Sequence, residues 1–337
     1  MNPSIHFDGA VWRCLLRCTD YAMPDGVLVR SDRATPGEAV TRNAMVILDP
    51  SSWKPIEIYK IRERDGLPRA SCSSVGFEDI RLFSTQEGGL QGIAASLHLR
   101  RDTDGSRRIL PEQVLVTLDG NYDVTAARPL RGAWSDSPQK NWAPFDRVEQ
   151  PRFLFSIERG EMIDGHGQRR SDAVVTPPEA RRVAHAPSDR KRARAVERAR
   201  AREVDRARDH VYGVLRGQRP RPTRDLPIAR APSFEGLRGG SQLCRVGTDE
   251  WLGIGHGAQI VNDRKYYWHV WYLVDAVGKM RAASPRVKLA QNGIEFAAGM
   301  AIDGDRVVVS FGVDDMACCL GEARLPEVLS LLSPVEP

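Results

Sequence analysis

The chain has 337 residues, of which 41% are hydrophobic and 28% are charged, a composition typical of a soluble globular protein with a substantial core. Its 29 glycines and 22 prolines favour a turn-rich, mostly β architecture over long helices. No 18-residue apolar run and no signal-peptide pattern is present, so we expect a cytoplasmic protein without a membrane span. The six cysteines form no C-x-x-C pair, which predicts buried, reduced thiols rather than a zinc site.

Positive charge is concentrated in one segment. The formal net charge is +5, yet residues 166–230 alone carry 18 basic and 8 acidic residues. The remainder of the chain is therefore slightly acidic, and it offers no general surface for nucleic acid or for an anionic membrane.

Five segments repeat one pattern: a polar start, a short apolar strand, a tight turn and a second apolar strand. They begin at Asn2, Glu78, Lys140, Gly240 and Glu295. Their turns are rich in the glycine and aspartate that tight hairpins need. Further apolar stretches at 44–48, 114–118 and 269–274 raise the number of strands to about four per unit, as in a propeller blade.

The repeats predict an all-β fold, a five-bladed β-propeller. Residues 1–165 are assigned to blades 1–3 and residues 231–337 to blades 4 and 5. A β-sandwich, or a pair of small β domains, is the alternative, because only the repetition distinguishes it from a propeller.

Residues 166–230 form a charged insertion between blades 3 and 4. The run from Arg190 to Arg194 contains four basic residues, and acid–base pairs such as Glu197 and Arg200 follow at helical spacing. This pattern predicts a solvated helix over about 188–215, flanked by proline-rich loops. Nucleic-acid binding is not expected, because no aromatic residues are interleaved to stack on bases.

The polar starts of the inner strands are predicted to meet at one mouth of the propeller channel. They comprise Asn2, Ser4, Glu78, Asp79, Arg81, Lys140, Asn141, Ser241 and Glu295. Such a ring is too polar for a core. It suits a polyhydroxylated ligand such as a sugar, which needs many positioned hydrogen bonds in a concave site.

The strongest constellation is Glu78-Asp79-Ile80-Arg81. Strand alternation predicts that Asp79 and Arg81 share one face. They could form an ion pair that only stabilises the blade. Alternatively, Asp79 protonates a leaving-group oxygen while Arg81 and Glu78 hold the sugar or tune the acid.

The sequence contains little evidence for a nucleotide-binding, nucleophile-based or metal-dependent site. The glycines of Gly253–Gly257 are followed by strand sequence instead of the helix that a dinucleotide site needs. No phosphate-binding loop, nucleophile elbow or zinc-protease motif is present. Neither a metal nor a cofactor is expected.

Four motifs resemble those of glycoside hydrolase family 130, the five-bladed propeller phosphorylases and hydrolases of β-mannosides, together with related mannosyltransferases. They are Leu15-Leu16-Arg17, Glu78-Asp79-Ile80-Arg81, Ile254-Gly255-His256-Gly257-Ala258 and Ser310-Phe311-Gly312-Val313-Asp314-Asp315. They follow the order of the family motifs, although Ile80 replaces the proline of the family's Glu-Asp-Pro-Arg. The third blade, from Lys140 to Phe145, also departs from the usual phosphorylase sequence.

The resemblance implies that Asp79 is the general acid of an inverting reaction, acting through a sugar hydroxyl. It implies that Arg17, Lys140 and His256 hold inorganic phosphate as a co-substrate, or equally a sugar phosphate or nucleotide sugar. In a hydrolase of this type, Glu78, Glu295 or Asp315 would activate water. Asp314, which precedes Asp315 in the last motif, is a further candidate for substrate binding.

Three hypotheses remain open at this point. The first is a carbohydrate-active enzyme that cleaves or forms a mannoside-type glycosidic bond as a phosphorylase or hydrolase, with an oligosaccharide or sugar phosphate as its partner. The second is a glycosyltransferase of polysaccharide assembly. The third is a non-catalytic glycan-binding propeller.

Overall fold

Five antiparallel sheets follow one another along the chain and close into a ring, which confirms the predicted five-bladed β-propeller. The computed structural model describes residues 2–22, 29–30, 39–67, 74–101, 107–132, 140–170, 236–261, 264–290, 294–314 and 316–335. Each blade begins with its inner strand, and the following strands add outward through antiparallel pairing.

Blades 1 and 2 are built from eleven strands. Blade 1 contains β1 (Pro3–Phe7), β2 (Trp12–Thr19), β3 (Tyr21–Ala22), β4 (Val29–Arg30), β5 (Ala39–Leu48), β6 (Pro55–Lys60) and β7 (Ser74–Val75). Its main sheet has the order β1-β2-β5-β6, with β7 parallel to the start of β5 and a separate β3–β4 pair. Blade 2 contains β8 (Glu78–Ser84), β9 (Leu90–Arg101), β10 (Arg107–Leu118) and β11 (Val124–Pro129).

Blade 3 has four short strands: β12 (Ala143–Pro144), β13 (Arg152–Ser156), β14 (Glu161–Asp164) and β15 (Arg169–Arg170). Because β15 pairs with β14, residues 166–170 belong to this blade, although the sequence assigned them to the insertion. The rest of the predicted insertion, with its expected helix at 188–215, lies outside the described residues.

Blades 4 and 5 complete the ring. Blade 4 contains β16 (Arg238–Gly239), β17 (Cys244–Arg245), β18 (Glu250–Val261), β19 (Arg264–Asp275) and β20 (Met280–Ala283). Blade 5 contains β21 (Glu295–Asp303), β22 (Arg306–Val313) and β23 (Ala317–Arg324), followed by the helix α1 (Leu325–Ser330) and by β24 (Ser333–Pro334). The last strand returns to blade 4, where it pairs with β20.

Apolar side chains form one core cluster at each of the five seams between neighbouring blades. Trp142 and Phe153 pack with Phe83 between blades 2 and 3, for example. Ile5 and Trp12 pack with Val308 between blades 1 and 5. The inner strands are buried along almost their whole length because each is covered by a blade on either side.

Hydrogen bonds between adjacent inner strands complete the ring. Ser4 Oγ accepts from Leu82 N at 2.9 Å, between blades 1 and 2. The Asp146 carboxylate of blade 3 accepts from Ser84 N at 2.7 Å, and Asp146 N donates to Leu243 O of blade 4 at 2.9 Å. These hydrogen bonds are short and buried, so each blade fixes the position of the next blade along the channel axis.

The seam between blades 4, 5 and 1 depends on Gln242. Its fully buried side chain donates to Ile5 O at 2.6 Å and accepts from Met300 N at 3.1 Å. Ser310 Oγ adds a bond to Pro3 O at 2.8 Å and accepts from Ile5 N at 3.0 Å. These two side chains join the last blade to the first.

Close backbone approach at this seam requires glycine. A Cβ atom at Gly299 would lie 2.3 Å from Ile5 N and 2.8 Å from the Cα of Ser4. Any side chain there would push β21 away from β1.

The cysteine prediction is confirmed in part. The five described cysteines are unbridged thiols, but among them only Cys14 and Cys244 are buried, whereas Cys319 is partly buried and Cys18 and Cys318 are exposed. Cys72 lies outside the described residues. No helix in the described part of the chain has the length and hydropathy needed to span a bilayer.

We predict that Gln242→Ala lowers the free energy of unfolding by about 2–4 kcal/mol, because it leaves two buried backbone groups without partners. Urea unfolding followed by tryptophan fluorescence measures the change. Gln86→Ala is the matched control, since Gln86 is exposed in the β8–β9 turn and its loss should change stability by less than about 0.5 kcal/mol. Equal effects of the two substitutions would contradict the role assigned to Gln242.

Candidate active site

A β-bulge at the start of β8 shapes the candidate site. Glu78 pairs with Ala95 and Arg81 with Ile93, so the strand contains one extra residue at this point. Asp79 adopts a left-handed backbone with φ of 50°, which aspartate tolerates better than most residues. The bulge breaks the simple alternation predicted from the sequence and redirects Asp79 relative to Arg81.

Two carboxylates and two cations meet beside this bulge. Arg17 of β2 donates to Asp79 Oδ1 at 2.8 Å, and its other terminal nitrogen lies 3.3 Å from Glu78 Oε1. Lys140 Nζ lies 3.1 Å from Glu78 Oε2 and 3.7 Å from Asp79 Oδ2. Asn2 Nδ2 donates to Asp79 Oδ1 at 2.8 Å. We call these five residues the charged cluster.

The charged cluster is largely shielded from water. Arg17, Glu78 and Asp79 are each 7% exposed or less, whereas Lys140 is partly open to solvent. Ionic interactions are stronger in such a setting than at a surface.

Asp79 is held as an anion. Burial by itself raises the pKa of Asp79, but the Arg17 and Lys140 cations and the Asn2 hydrogen bond together lower this pKa well below its usual range. For Lys140, burial acts to lower the pKa, while the Asp79 and Glu78 charges prevail and raise it. Without a ligand, Asp79 and Lys140 are therefore both ionised at neutral pH.

A second group of residues extends from the charged cluster across the channel. Arg81, only 1% exposed, donates through Nε to Gly240 O and through a terminal nitrogen to Asn141 Oδ1, the latter at 2.7 Å. Asn141 Nδ2 lies 3.5 Å from His256 Nε2. Like Asp79, Asn141 has a left-handed backbone, with φ of 67°. Burial lowers the pKa of Arg81 to about 10, so it is charged at neutral pH.

Aromatic rings border this second group. The Phe296 ring lies edge-on to His256 at 4.6 Å between centroids, and the Arg81 guanidinium lies 5.5 Å from the Phe296 centroid. Tyr267 stands next to His256, with 5.7 Å between ring centroids. The arrangement combines hydrogen-bonding groups with apolar faces, which sugar rings contact through their C–H surfaces.

The structure thus brings together eight of the thirteen residues that the sequence selected. They are Asn2, Arg17, Glu78, Asp79, Arg81, Lys140, Asn141 and His256. These residues come from blades 1, 2, 3 and 4, so the site exists only when the ring is closed.

Three further predicted residues direct their polar atoms into the protein. Ser4 joins blades 1 and 2, as described above. Ser241 Oγ donates to Gln242 O at 2.7 Å and accepts from Ile254 N at 3.2 Å. Glu295 accepts from the backbone N–H groups of Leu289 and Ala290. All three are 1% exposed or less, so a role in binding for them stays a prediction.

The remaining two predicted residues follow β22. Asp314 is partly buried, has φ of 51°, and donates its backbone N–H to Ile294 O at 2.8 Å. Asp315 lies outside the described residues.

Sequence reasoning missed Phe296, Tyr267 and Asn43. Asn43 Nδ2 donates to Phe77 O at 3.0 Å and so fixes the peptide that leads into Glu78. Phe296 directly follows Glu295, one of the predicted polar starts. Its position at the head of an inner strand is the sequence feature that could have identified it. The described residues contain no group of three or more histidine, cysteine or acidic side chains arranged to hold a metal ion.

Solved structures with the same architecture are mannoside-active enzymes or glycosyl hydrolases. One belongs to a study of the glycoside hydrolase family 130 of mannoside phosphorylases, which contains hydrolases that target β-1,2 mannosidic linkages in Candida mannan; its TM-score is 0.54, its identity 14%, and the match covers 96% of this chain and 83% of that one. A glycosyl hydrolase from Bacteroides ovatus has a TM-score of 0.54 and a sequence identity of 12%, and the match covers 96% of this chain and 83% of that one. The β-1,2-mannobiose phosphorylase from Listeria innocua, in complex with β-1,2-mannobiose, has a TM-score of 0.53 and a sequence identity of 11%. The match covers 98% of this chain and 90% of that one.

The fold is that of glycoside hydrolase family 130. The resemblance inferred from the four motifs is thereby confirmed at the level of architecture. Searches with protein-family models and among curated proteins give no match to this sequence. Structural similarity at such low sequence identity shows a common fold alone, and the chemistry of this chain has to be argued from its own residues.

We predict that Asp79→Asn lowers the free energy of unfolding by about 3 kcal/mol at pH 7, since it leaves the buried cations undercompensated. Because the pKa of Asp79 is lower in the folded chain than in the unfolded one, its stabilisation is complete above about pH 5 and declines as the pH falls below about 4. The difference between the wild type and this variant should therefore shrink by about 1 kcal/mol at pH 3.

Urea unfolding at the two pH values measures this difference. Asp305→Asn is the control, because Asp305 and its partner Arg324 are both about two-thirds exposed and their pair should contribute less than about 1 kcal/mol at either pH. A difference for Asp79→Asn that does not depend on pH would contradict the ionised state assigned to Asp79.

Proposed function

We propose that this protein is a carbohydrate-active enzyme that cleaves a mannoside-type glycosidic bond by phosphorolysis, with inversion at the anomeric carbon. The observation that carries the proposal is the meeting of Asp79 with two cations at the mouth of the channel. A proton donor and an anion-binding pair are the two elements that phosphorolysis requires within one substrate length of each other.

In the proposed reaction, Asp79 in its protonated form donates a proton towards the glycosidic oxygen. A phosphate oxygen held by Arg17 and Lys140 attacks the anomeric carbon from the opposite face, and the bond from that carbon to the glycosidic oxygen breaks. The products are a sugar 1-phosphate of inverted configuration and a shortened sugar with a new hydroxyl. Asp79 is left as a carboxylate and is ready to accept a proton again.

Phosphate is a better nucleophile for this site than water. An inverting hydrolase needs a second carboxylate about 6.5–9.5 Å from the acid to activate water. Glu78 is the direct neighbour of Asp79 and is held by the same two cations, while Glu295 is engaged with Leu289 and Ala290. Arg17 and Lys140 are also paired with these carboxylates, but as cations they can exchange part of those contacts for an oxyanion. Asp315, the third candidate base, lies outside the described residues.

The second group of residues supplies sugar recognition. Asn141 and His256 offer donors and acceptors for hydroxyl groups, and Phe296 with Tyr267 offers apolar faces. Arg81 fixes Asn141 through its 2.7 Å hydrogen bond. This division assigns the bond-breaking step to the charged cluster and the sugar ring to its neighbours.

A non-catalytic glycan-binding propeller is the second candidate. It is favoured by the ion pairs of Asp79, since a carboxylate held by two cations also serves as a rigid hydrogen-bond acceptor for sugar hydroxyls. Turnover of a β-mannoside distinguishes the enzyme from the glycan-binding propeller, because the propeller would bind the sugar without cleaving it.

We expect β-1,2-mannobiose and related β-mannosides, incubated with inorganic phosphate, to yield mannose 1-phosphate. Asp79→Asn should lower the rate by a factor of 10³ or more, since it removes the proton donor, while leaving sugar binding measurable. Sugar 1-phosphate, free nucleotide and reducing ends are followed in parallel with nucleotide sugars as alternative donors. Nucleotide release would instead favour a glycosyltransferase, and binding without turnover would favour the glycan-binding module.

We expect Lys140→Ala to raise the KM for phosphate by a factor of about 10–100 and the KM for the sugar by much less, in line with the loss of one charge-assisted hydrogen bond. Lys60→Ala serves as the control, because Lys60 is exposed on β6 at the edge of blade 1. Initial rates measured over a grid of phosphate and sugar concentrations give both constants. Equal effects on the two substrates would remove Lys140 from the phosphate site.

A further inference from the structure

The charged cluster is electrically balanced before any ligand arrives. Arg17 and Lys140 supply two positive charges, and Glu78 and Asp79 supply two negative charges. Asn2 is neutral. Arg81, the other cation that acts on Asp79, is already bound to Gly240 O and Asn141, and His256 lies 3.5 Å from Asn141.

An arriving oxyanion would disturb this balance. A phosphate or sulfate dianion beside Arg17 and Lys140 would leave the site with an excess of negative charge next to two buried carboxylates. Buried charge without compensation is strongly unfavourable, and protein sites respond by changing their protonation. Neutralising one carboxylate is the smallest change that restores most of the balance.

We propose that this site takes up one proton when it binds an oxyanion, and that the proton goes to Asp79. The inference rests on the proposed function, because it uses the same anion site. It adds that the acid of the reaction is created by the arrival of the co-substrate.

The contacts distinguish Asp79 from Glu78 as the proton acceptor. Both oxygens of Glu78 are close to a cation, at 3.3 Å and 3.1 Å. Asp79 Oδ1 receives the Asn2 and Arg17 hydrogen bonds, while Oδ2 has the longer 3.7 Å contact with Lys140. When Lys140 turns towards an oxyanion, Oδ2 of Asp79 is the oxygen on which a proton disturbs the fewest contacts.

This coupling has a chemical consequence. Without phosphate, Asp79 stays ionised and has no proton to give, so cleavage of the glycosidic bond by water is suppressed. With phosphate bound, the acid and the nucleophile are present together. The site would thus select phosphorolysis over hydrolysis by controlling a proton.

Isothermal titration calorimetry of the full chain tests the proposal. Sulfate is the probe, because it does not titrate between pH 5 and 7, and any proton that is taken up must go to the protein. Titrations in buffers of different ionisation enthalpy should show uptake approaching one proton per sulfate bound. The sulfate Kd should rise by about tenfold per pH unit over the range where uptake is complete.

Three variants, each checked for folding by circular dichroism and thermal melting, assign the proton. Asp79→Asn should bind sulfate without proton uptake and with little dependence on pH. Glu78→Gln also removes one negative charge, so it should take up less than a full proton, but more than Asp79→Asn does because Asp79 is still present. Glu161→Gln, which removes a buried carboxylate paired with arginines in blade 3, is the control and should behave as the wild type.

The possible results are distinct. Sulfate binding without proton uptake in the wild type would overturn the coupling and leave the proposed function standing. Uptake that persists in Asp79→Asn and is lost in Glu78→Gln would overturn the assignment to Asp79. If neither sulfate nor phosphate binds, the anion site itself is wrong, and the phosphorolytic function is rejected with it.

Discussion

The closure of the ring between the last blade and the first is the constraint on which the site depends. Asn2 reaches Asp79 from the start of β1, and β1 is held at its height by Gln242 and Ser310 from blades 4 and 5. Arg17 reaches the same carboxylate from β2 of the same blade. If blade 1 shifted along the channel, both donors would leave Asp79 together, so ring closure and site assembly are one event.

The site also stores local backbone strain. Asp79 and Asn141 both occupy the left-handed region of φ and both stand at the head of an inner strand. Non-glycine residues in this region require a surrounding structure that compensates their strain. Here the compensation comes from side-chain contacts of the same two residues, Asp79 with Arg17 and Asn141 with Arg81. Two of the left-handed residues are therefore held in place by the same contacts that bring their side chains into the site.

The sequence predicted the architecture because repetition is a property of the whole chain. The five polar starts marked the inner strands, and convergence of inner strands at a mouth followed from propeller geometry. Single positions were harder to predict. The bulge at Asp79 depends on pairing with Ala95, which no local pattern reveals. Ser241 was selected for its polarity, yet its hydroxyl bonds to Gln242 and Ile254, because a polar residue at a blade seam and one in a channel have the same appearance in a sequence. An aromatic residue in a strand, such as Phe296, usually belongs to the core, so its pattern does not indicate a site.

The two ends of the described chain lie in very different surroundings. Asn2 touches Asp79 and so belongs to the charged cluster. Val335, in contrast, follows the short outer strand on blade 4 and donates to Arg281 O at 3.0 Å, remote from the channel. We expect an affinity tag or a linker fused close to Asn2 to crowd the charged cluster. For biosensor immobilisation or purification, the carboxyl end is therefore the appropriate point of attachment.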